Sequence, residues 1–502
     1  MSALCSLLLI AGIISTICTE TKYSMPEVLR SKAFVAPRSR QLWEDTSIPL
    51  PTSVHELGQL RVRHHEHERK LDALGSQLHP LYPGYGTHFA YIYVGTPPQR
   101  QSVIIDTGSH YTAFPCTGCS QCGQHTDPYW DMKNSSTATV PQCNHNPCVI
   151  SQTYSEGSSW KAFKVVDKLW VGGLTPTIIK NAPSYSINFE FGCQTAETGL
   201  FRTQLADGIM GLSLSDDTLT PQLVKNGITS AKIFALCFRI GGGILTIGGV
   251  DQRIHTKPGI QYAKLMKNSG WYTLHLLDIM LAPQTGTPES LGFPVTKYNE
   301  GKGCIIDSGT TDTYLPAALM GKFTEIFKKI AGIPFSTGNI QLSAEQLAKM
   351  PNIVFNFEGT DGKPFEVAMP WTSYVDSVGN GKYAFRIYLT ESTGTVLGAN
   401  FMNGMNMIFD QDAQRLGFAR SNCKYEDFED AQTNKPTHAP THRPNAPPTS
   451  DGGCETQIYP LDKCTAACDR TDATYVAVGN QTFADRCGKS GPLTGSKYCH
   501  GK

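Results

Sequence analysis

Val103-Ile104-Ile105-Asp106-Thr107-Gly108-Ser109 and Cys304-Ile305-Ile306-Asp307-Ser308-Gly309-Thr310-Thr311 are two copies of one pattern, set 201 positions apart. Each is a β-branched run that ends in Asp, a small hydroxyl residue and Gly, which reads as a buried strand entering a tight turn. A single Asp-Thr-Gly closes many ordinary turns. Two of them, one in each half of a body of about 340 residues, imply a duplicated lobe. Duplication predicts a pseudo-twofold axis with one carboxylate on each side. Carboxyls about 3 Å apart do not both ionise, so they share one proton. Such a pair can act as a general base toward a water and as a general acid toward a carbonyl.

Working outward, each Asp loop has a later hydrophobic-hydrophobic-Gly segment: Ile209-Met210-Gly211 after the first, Val396-Leu397-Gly398 after the second. In this order of loop, strand, loop, strand the chain resembles the pepsin-like aspartic proteases. The resemblance implies a mostly β, bilobal fold with pseudo-twofold symmetry, catalytic Asp106 and Asp307, and peptide hydrolysis without a covalent intermediate or a cofactor. It also assigns support roles. Thr107 and Ser308 would tie the loops together, Ser109 and Thr310 would hydrogen-bond the outer carboxylate oxygens, and Gly108 and Gly309 complete the turns. A flap hairpin is expected with Tyr154 near its tip, followed by Glu156 and Gly157. The family's usual Trp, seven positions after the first Asp, is replaced by Ala113, so the partner of Tyr154 is not given by the sequence.

Between the first Asp and the flap lies a Cys-dense insert, residues 116–148, with Cys116, Cys119, Cys122, Cys143 and Cys148. The spacing fits a zinc knuckle or disulfides, and a secretory context favours disulfides, so no metal site is expected. The insert resembles that of nepenthesin-type proteases and, with the flap and the stretch from Phe191 to Ser213, most closely the plasmepsin V type. The nepenthesin-like pattern implies Cys116–Cys193, Cys119–Cys122 and Cys143–Cys148, and the wider family implies Cys237–Cys423. Setting aside Cys5 and Cys18, the body and the tail each hold an odd number of cysteines, so at least one bridge between them is expected. The implied pairings leave Cys304 for that bridge.

The plasmepsin V likeness further implies polypeptide substrates with Arg at P3 and Leu at P1, the Arg being read by Glu156 and Gln204. A carboxylate binds a guanidinium through charge-assisted, often bidentate hydrogen bonds. Arg40-Gln41-Leu42-Trp43-Glu44 fits such a site within the chain itself. Two alternatives use the same fold: a broad-specificity secreted digestive protease, and a catalytically inactive binding protein.

The chain has 502 residues, with Lys plus Arg equal to Asp plus Glu at 43 each, which gives no reason to expect nucleic acid. Residues 1–18 read as a signal peptide and 19–79 as a basic pro-segment over the cleft, to be released by acid. The peptidase domain is expected at 80–424, split into lobes at about 80–255 and 256–424. A Pro/Thr-rich linker follows at 425–453, then a Cys-rich tail at 454–502 whose partner is unspecified. No transmembrane anchor is expected, and a monomer in the secretory pathway is. Sequons at Asn134 and Asn480 are candidates for glycosylation. Alternating runs such as Ala90–Val94 and Gly243–Ile247 predict strands, and Ala317–Ala331 is the clearest predicted helix.

Overall fold

Val103 and Ile105 have no exposed surface and Ile104 almost none, as expected of a β-branched strand covered on both faces. In the computed structural model this strand, Gln99–Asp106, runs parallel to Gly208–Gly211, pairing Val103 with Gly208 and Asp106 with Gly211. Gly208–Gly211 then pairs antiparallel with Thr112–Ser120, which lies parallel to Ile187–Glu197. The second half repeats this order of four. Cys304–Ile306 is parallel to Thr395–Leu397, which pairs antiparallel with Thr313–Pro316, itself parallel to Ile387–Glu391. The duplicated pattern in the sequence is a duplicated four-strand unit in space.

The structure describes residues 76–172, 183–257, 259–266 and 270–430, together with the strands Ile458–Pro460, Tyr475–Ala477 and Tyr498–Gly501. The predicted signal peptide, nearly all of the pro-segment, Arg40–Glu44, Asn480 and the side chains of the tail lie outside the described residues. Among the described residues no helix is long and apolar enough to cross a membrane.

One sheet of thirteen strands carries the first Asp strand. From the flap strand Val149–Thr153 it runs through Ser159–Gly172 and the first four-strand unit to His88–Val94 and Gln77–Pro83. It continues through Gly242–Ile247 and Ile233–Arg239 into Met405–Asp410, Arg415–Arg420 and Gln261–Lys264. The lobe boundary expected near residue 255 is therefore crossed by backbone hydrogen bonds, Ile233–Arg239 pairing with Met405–Asp410. The second Asp strand belongs to a separate five-stranded sheet. The predicted helix divides into a short 3-10 turn, Ala317–Leu319, and an α-helix, Met320–Ala331, capped by Gly332 at φ 72°.

The C-terminal edge of the body lies farther on than the sequence suggested. Helix Glu426–Asp430 follows Cys423, Phe428 packs against the cluster around the Cys237–Cys423 disulfide, and Glu426 takes both oxygens to Arg239. Residues 425–430 are thus body and not linker. Beyond them Pro436–Lys502 is a unit of its own, in which Tyr498–Gly501 pairs antiparallel with both other strands.

Candidate active site

The two Asp loops meet through their hydroxyl residues. Ser308 Oγ accepts from the Thr107 amide at 3.0 Å and donates to the Ile105 carbonyl at 2.7 Å. Thr107 Oγ1 reciprocates, accepting from the Ser308 amide and donating to the Ile306 carbonyl, both at 3.0 Å. All four bonds are buried, so each hydroxyl is satisfied by the opposite loop, and the two strand ends are locked at one separation.

Above this lock, the Gly108 amide donates to Asp106 Oδ1 at 2.8 Å, and the Ser109 hydroxyl donates to Oδ2. In the second loop the Gly309 amide donates to Asp307 Oδ1 at 3.0 Å and Thr310 Oγ1 donates to Oδ2 at 2.6 Å. Each glycine lies against the opposite carboxylate. A Cβ on Gly108 would stand 2.6 Å from Asp307 Oδ1, and one on Gly309 would stand 2.3 Å from Asp106 Oδ1. Only Gly lets the two carboxyls approach across the axis. Burial and the neighbouring Asp307 charge push the Asp106 carboxyl well above the ordinary range, against the hydrogen bonds from Ser109 and Gly108.

The flap hairpin pairs Val149–Thr153 with Ser159–Gly172, and Gly157 occupies its turn at φ 95°. The Tyr154 hydroxyl accepts from the indole of Trp160 at 3.3 Å. Trp160 is thus the partner that Ala113 cannot supply, and the sequence reading missed it. It is buried, on the returning strand of the flap, in one cluster with Ala113, Ile104 and Ile209. A Trp six residues past the flap Tyr was the available signal. Tyr154 is also pushed up by burial and by the Asp106 charge, and Ser109 is among its hydrogen-bond partners. A second missed residue is Trp271, whose indole donates to the Gly108 carbonyl at 3.0 Å while its ring stays 40% exposed. Nothing local in its sequence marks it.

Glu156 is half-buried beside the flap tip, and its charge acts on the hydroxyls of both Tyr154 and Tyr314. Gln204 is half-buried as well, but its side-chain amide donates to the carbonyls of Ala206 at 3.1 Å and Gly208 at 3.4 Å. In the insert Cys116 is joined to Cys193, Cys119 to Cys122 and Cys143 to Cys148, and Cys237 is joined to Cys423. The bridge expected from Cys304 to the tail is not formed among the described residues. Cys304 is a free thiol with no exposed surface, in a strand covered on both sides by Thr273–Leu274 and Thr395–Leu397, where burial pushes its ionisation up. Asn134 is exposed at the end of a 3-10 turn.

Residues 87–421 match the family of eukaryotic aspartyl proteases. The chain is 29% identical to Aspartic protease 5 of Toxoplasma gondii over 381 residues, covering 68% of this chain and 37% of that protein. It is 34% identical to Plasmepsin V of Plasmodium falciparum over 188 residues, 33% of this chain and 30% of that protein. Against Aspartic proteinase 36 of Arabidopsis thaliana it is 26% identical over 384 residues, 67% of this chain and 74% of that protein. The match thus spans 37% of one parasite relative and 30% of the other. Locked loops, facing carboxylates and a match over 87–421 lead to one conclusion: the chain belongs to the eukaryotic aspartyl protease family.

Proposed function

We propose that the protein is an aspartic endopeptidase of the secretory pathway in which Asp106 and Asp307 act as a pair on polypeptide substrates. The observation that carries the reading is the approach of two carboxylates across interlocked loops, with glycine at the one position on each side where a Cβ would separate them. The dyad binds one proton. Its ionised member takes a proton from a water as that water adds to the peptide carbonyl carbon, and its protonated member gives a proton to the carbonyl oxygen. Collapse of the resulting diol breaks the C–N bond and sends a proton to the leaving nitrogen. Ser109 and Thr310 hold the outer oxygens, and Tyr154 closes over the substrate from the flap. Cleavage of an unfolded protein tests this. Asp307→Asn is expected to lower kcat by about 10⁴-fold or more, and an unchanged rate overturns the reading.

The finer proposal is selectivity for Arg at P3 and Leu at P1. It is supported by the Glu156 charge, which acts on the hydroxyls of both Tyr154 and Tyr314, and by the side-chain carbonyl of Gln204, whose amide nitrogen is already engaged. In a peptide library Glu156→Ala should reduce the preference for Arg over Leu at P3 by about tenfold or more. A broad digestive protease would keep its profile. The secretory assignment is supported by the apolar leader in residues 1–18 and by four disulfides, which persist in oxidising compartments. The exposed Asn134 sequon is proposed to carry a glycan there.

A further inference from the structure

Behind the flap, the Cys-rich insert is laced to the segment that floors it. Thr126 Oγ1 donates to the Leu205 carbonyl at 2.8 Å, the Asp127 amide to Asp207 Oδ1 at 2.8 Å, and the Gly123 amide to Glu197 Oε2 at 3.2 Å. At the centre lie His125 and Glu197. Neither side chain has exposed surface, and Nε2 stands 3.5 Å from Glu197 Oε2. The other ring nitrogen, Nδ1, is 3.0 Å from the Gln204 carbonyl.

A carbonyl oxygen only accepts, so Nδ1 carries a hydrogen toward Gln204. In a neutral ring Nε2 is then a bare lone pair, turned toward a buried carboxylate oxygen. That arrangement is repulsive, whereas a proton on Nε2 makes it an ion pair. The geometry therefore favours a proton on Nε2 of His125.

The same segment supports the flap. Glu197 is in register with Trp160, whose indole holds Tyr154. Leu200 donates its amide to Ser158 Oγ at 2.8 Å, Thr198 Oγ1 accepts from the Ser159 amide at 2.9 Å, and the Phe201 ring lies 5.1 Å from that of Tyr154. We propose that His125 and Glu197 form a protonated strut by which the insert positions the flap, and that the strut is released when its proton is lost. They are positioning residues, acting on the flap and not on the reacting atoms.

The charged groups acting on the ring are Glu197 and Asp207. Asp207 is itself occupied by Ser102 and the Asp127 amide, and the Tyr129 hydroxyl, near Glu197, donates to the Gly123 carbonyl. Burial favours the neutral ring, but Glu197, the Gln204 carbonyl and Asp207 outweigh it and hold His125 above its ordinary value. A raised His contributes fully below its unfolded pKa and is lost as pH rises through the folded one. The strut is closed in acid and opens toward alkaline pH.

Glu197→Gln separates this from plain packing, because the amide can donate to the lone pair of a neutral His125 and needs no extra proton. Hydrogen exchange of the full chain carrying Asp307→Asn, to prevent self-cleavage, reads the strut without using activity. With His125 and Glu197 intact, protection of residues 150–160 and 198–206, corrected for intrinsic rates, should fall by about tenfold between about pH 5 and about pH 8. Glu197→Gln should hold it level, and His125→Ala should be low at both. Equal protection at both pH values in the intact chain, or a fall in Glu197→Gln like that of the intact chain, overturns the proposal. The effect on catalysis rests on the endopeptidase reading: KM should rise with pH in the active chain and stay level in Glu197→Gln. A chain that cleaves nothing at any pH sinks the endopeptidase reading and leaves the exchange result to decide the strut.

Discussion

Trp160 is a single indole that replaces a family feature from a different strand. Its N–H is the donor that orients the Tyr154 hydroxyl toward Ser109 and the Asp pair. Trp160→Phe keeps an aromatic ring in the same buried cluster but leaves that hydroxyl without this donor. A hydrogen bond of this kind is worth about 1 kcal/mol, so kcat/KM should fall by about five- to tenfold with little change in Tm. A variant with unchanged kcat/KM would remove Trp160 from the machinery. Restoring the usual Trp at 113 should not rescue it, because a Cβ on the neighbouring Gly192 would already be 3.1 Å from that of Ala113. At Asp106 the prediction concerns stability. Its carboxyl is raised in the folded chain, so the folded state holds the proton more tightly, and its penalty for ionising grows as pH rises above the unfolded value near 4. Asp106→Asn should therefore gain Tm relative to the intact chain at neutral pH and lose that advantage in acid. The carboxylates and their hydroxyl neighbours were readable in the sequence because every contact within a loop spans three residues or fewer. Trp160 was not, because a side chain's hydrogen-bond partner depends on how the hairpin closes.

Among the elements, the short strands that follow the flap and its C-terminal counterpart depend most on one residue each. Gly211 and Gly398 end Gly208–Gly211 and Thr395–Leu397 where these pass inside the Asp loops. A Cβ on Gly398 would meet the Asp312 carbonyl at 2.2 Å and the Thr310 carbonyl at 2.5 Å, and one on Gly211 would meet the His110 backbone at 2.5 Å. Backbone cannot swing aside as a side chain can. Gly398→Ala should therefore displace the Asp307 loop, costing about 2–4 kcal/mol in urea unfolding and most of the activity. If the variant unfolds at the same urea concentration and cleaves normally, the threading does not constrain the loop. Both segments were visible in sequence as β-branched or apolar runs ending in Gly. The thirteen-stranded sheet was not, because it joins Ile233–Arg239 to Met405–Asp410, and no local periodicity reports a pairing between strands so far apart in the chain.

At the largest scale, the described body, residues 76–430, is closed by the same long-range contacts. Cys237 lies on one of the two strands that join the halves, and its bridge to Cys423 spans 186 residues, nearly the entire second half. Arg239 and Phe428 add polar and apolar contacts at the same place, so the end of the body is fastened beneath the interlobe sheet and far from the Asp loops in sequence. In the chain-entropy view, closing so long a loop removes about 5 kcal/mol of unfolded-state freedom, and native bridges of this kind are usually worth about 2–5 kcal/mol. The double variant Cys237→Ala, Cys423→Ala should thus unfold at lower urea concentration by an amount in that range. Its KM and kcat below the new transition should be those of the intact chain, because the locked hydroxyls and paired strands that set the carboxylates apart do not include the bridge. A fall in kcat at temperatures where the variant is fully folded would show instead that the interlobe sheet transmits strain to the dyad. The buried thiol of Cys304 supplies an internal control for folding. It should react with a thiol reagent at a rate set by unfolding, and faster labelling in the double variant, in proportion to the lost stability, would place the effect in the global equilibrium and not at the site.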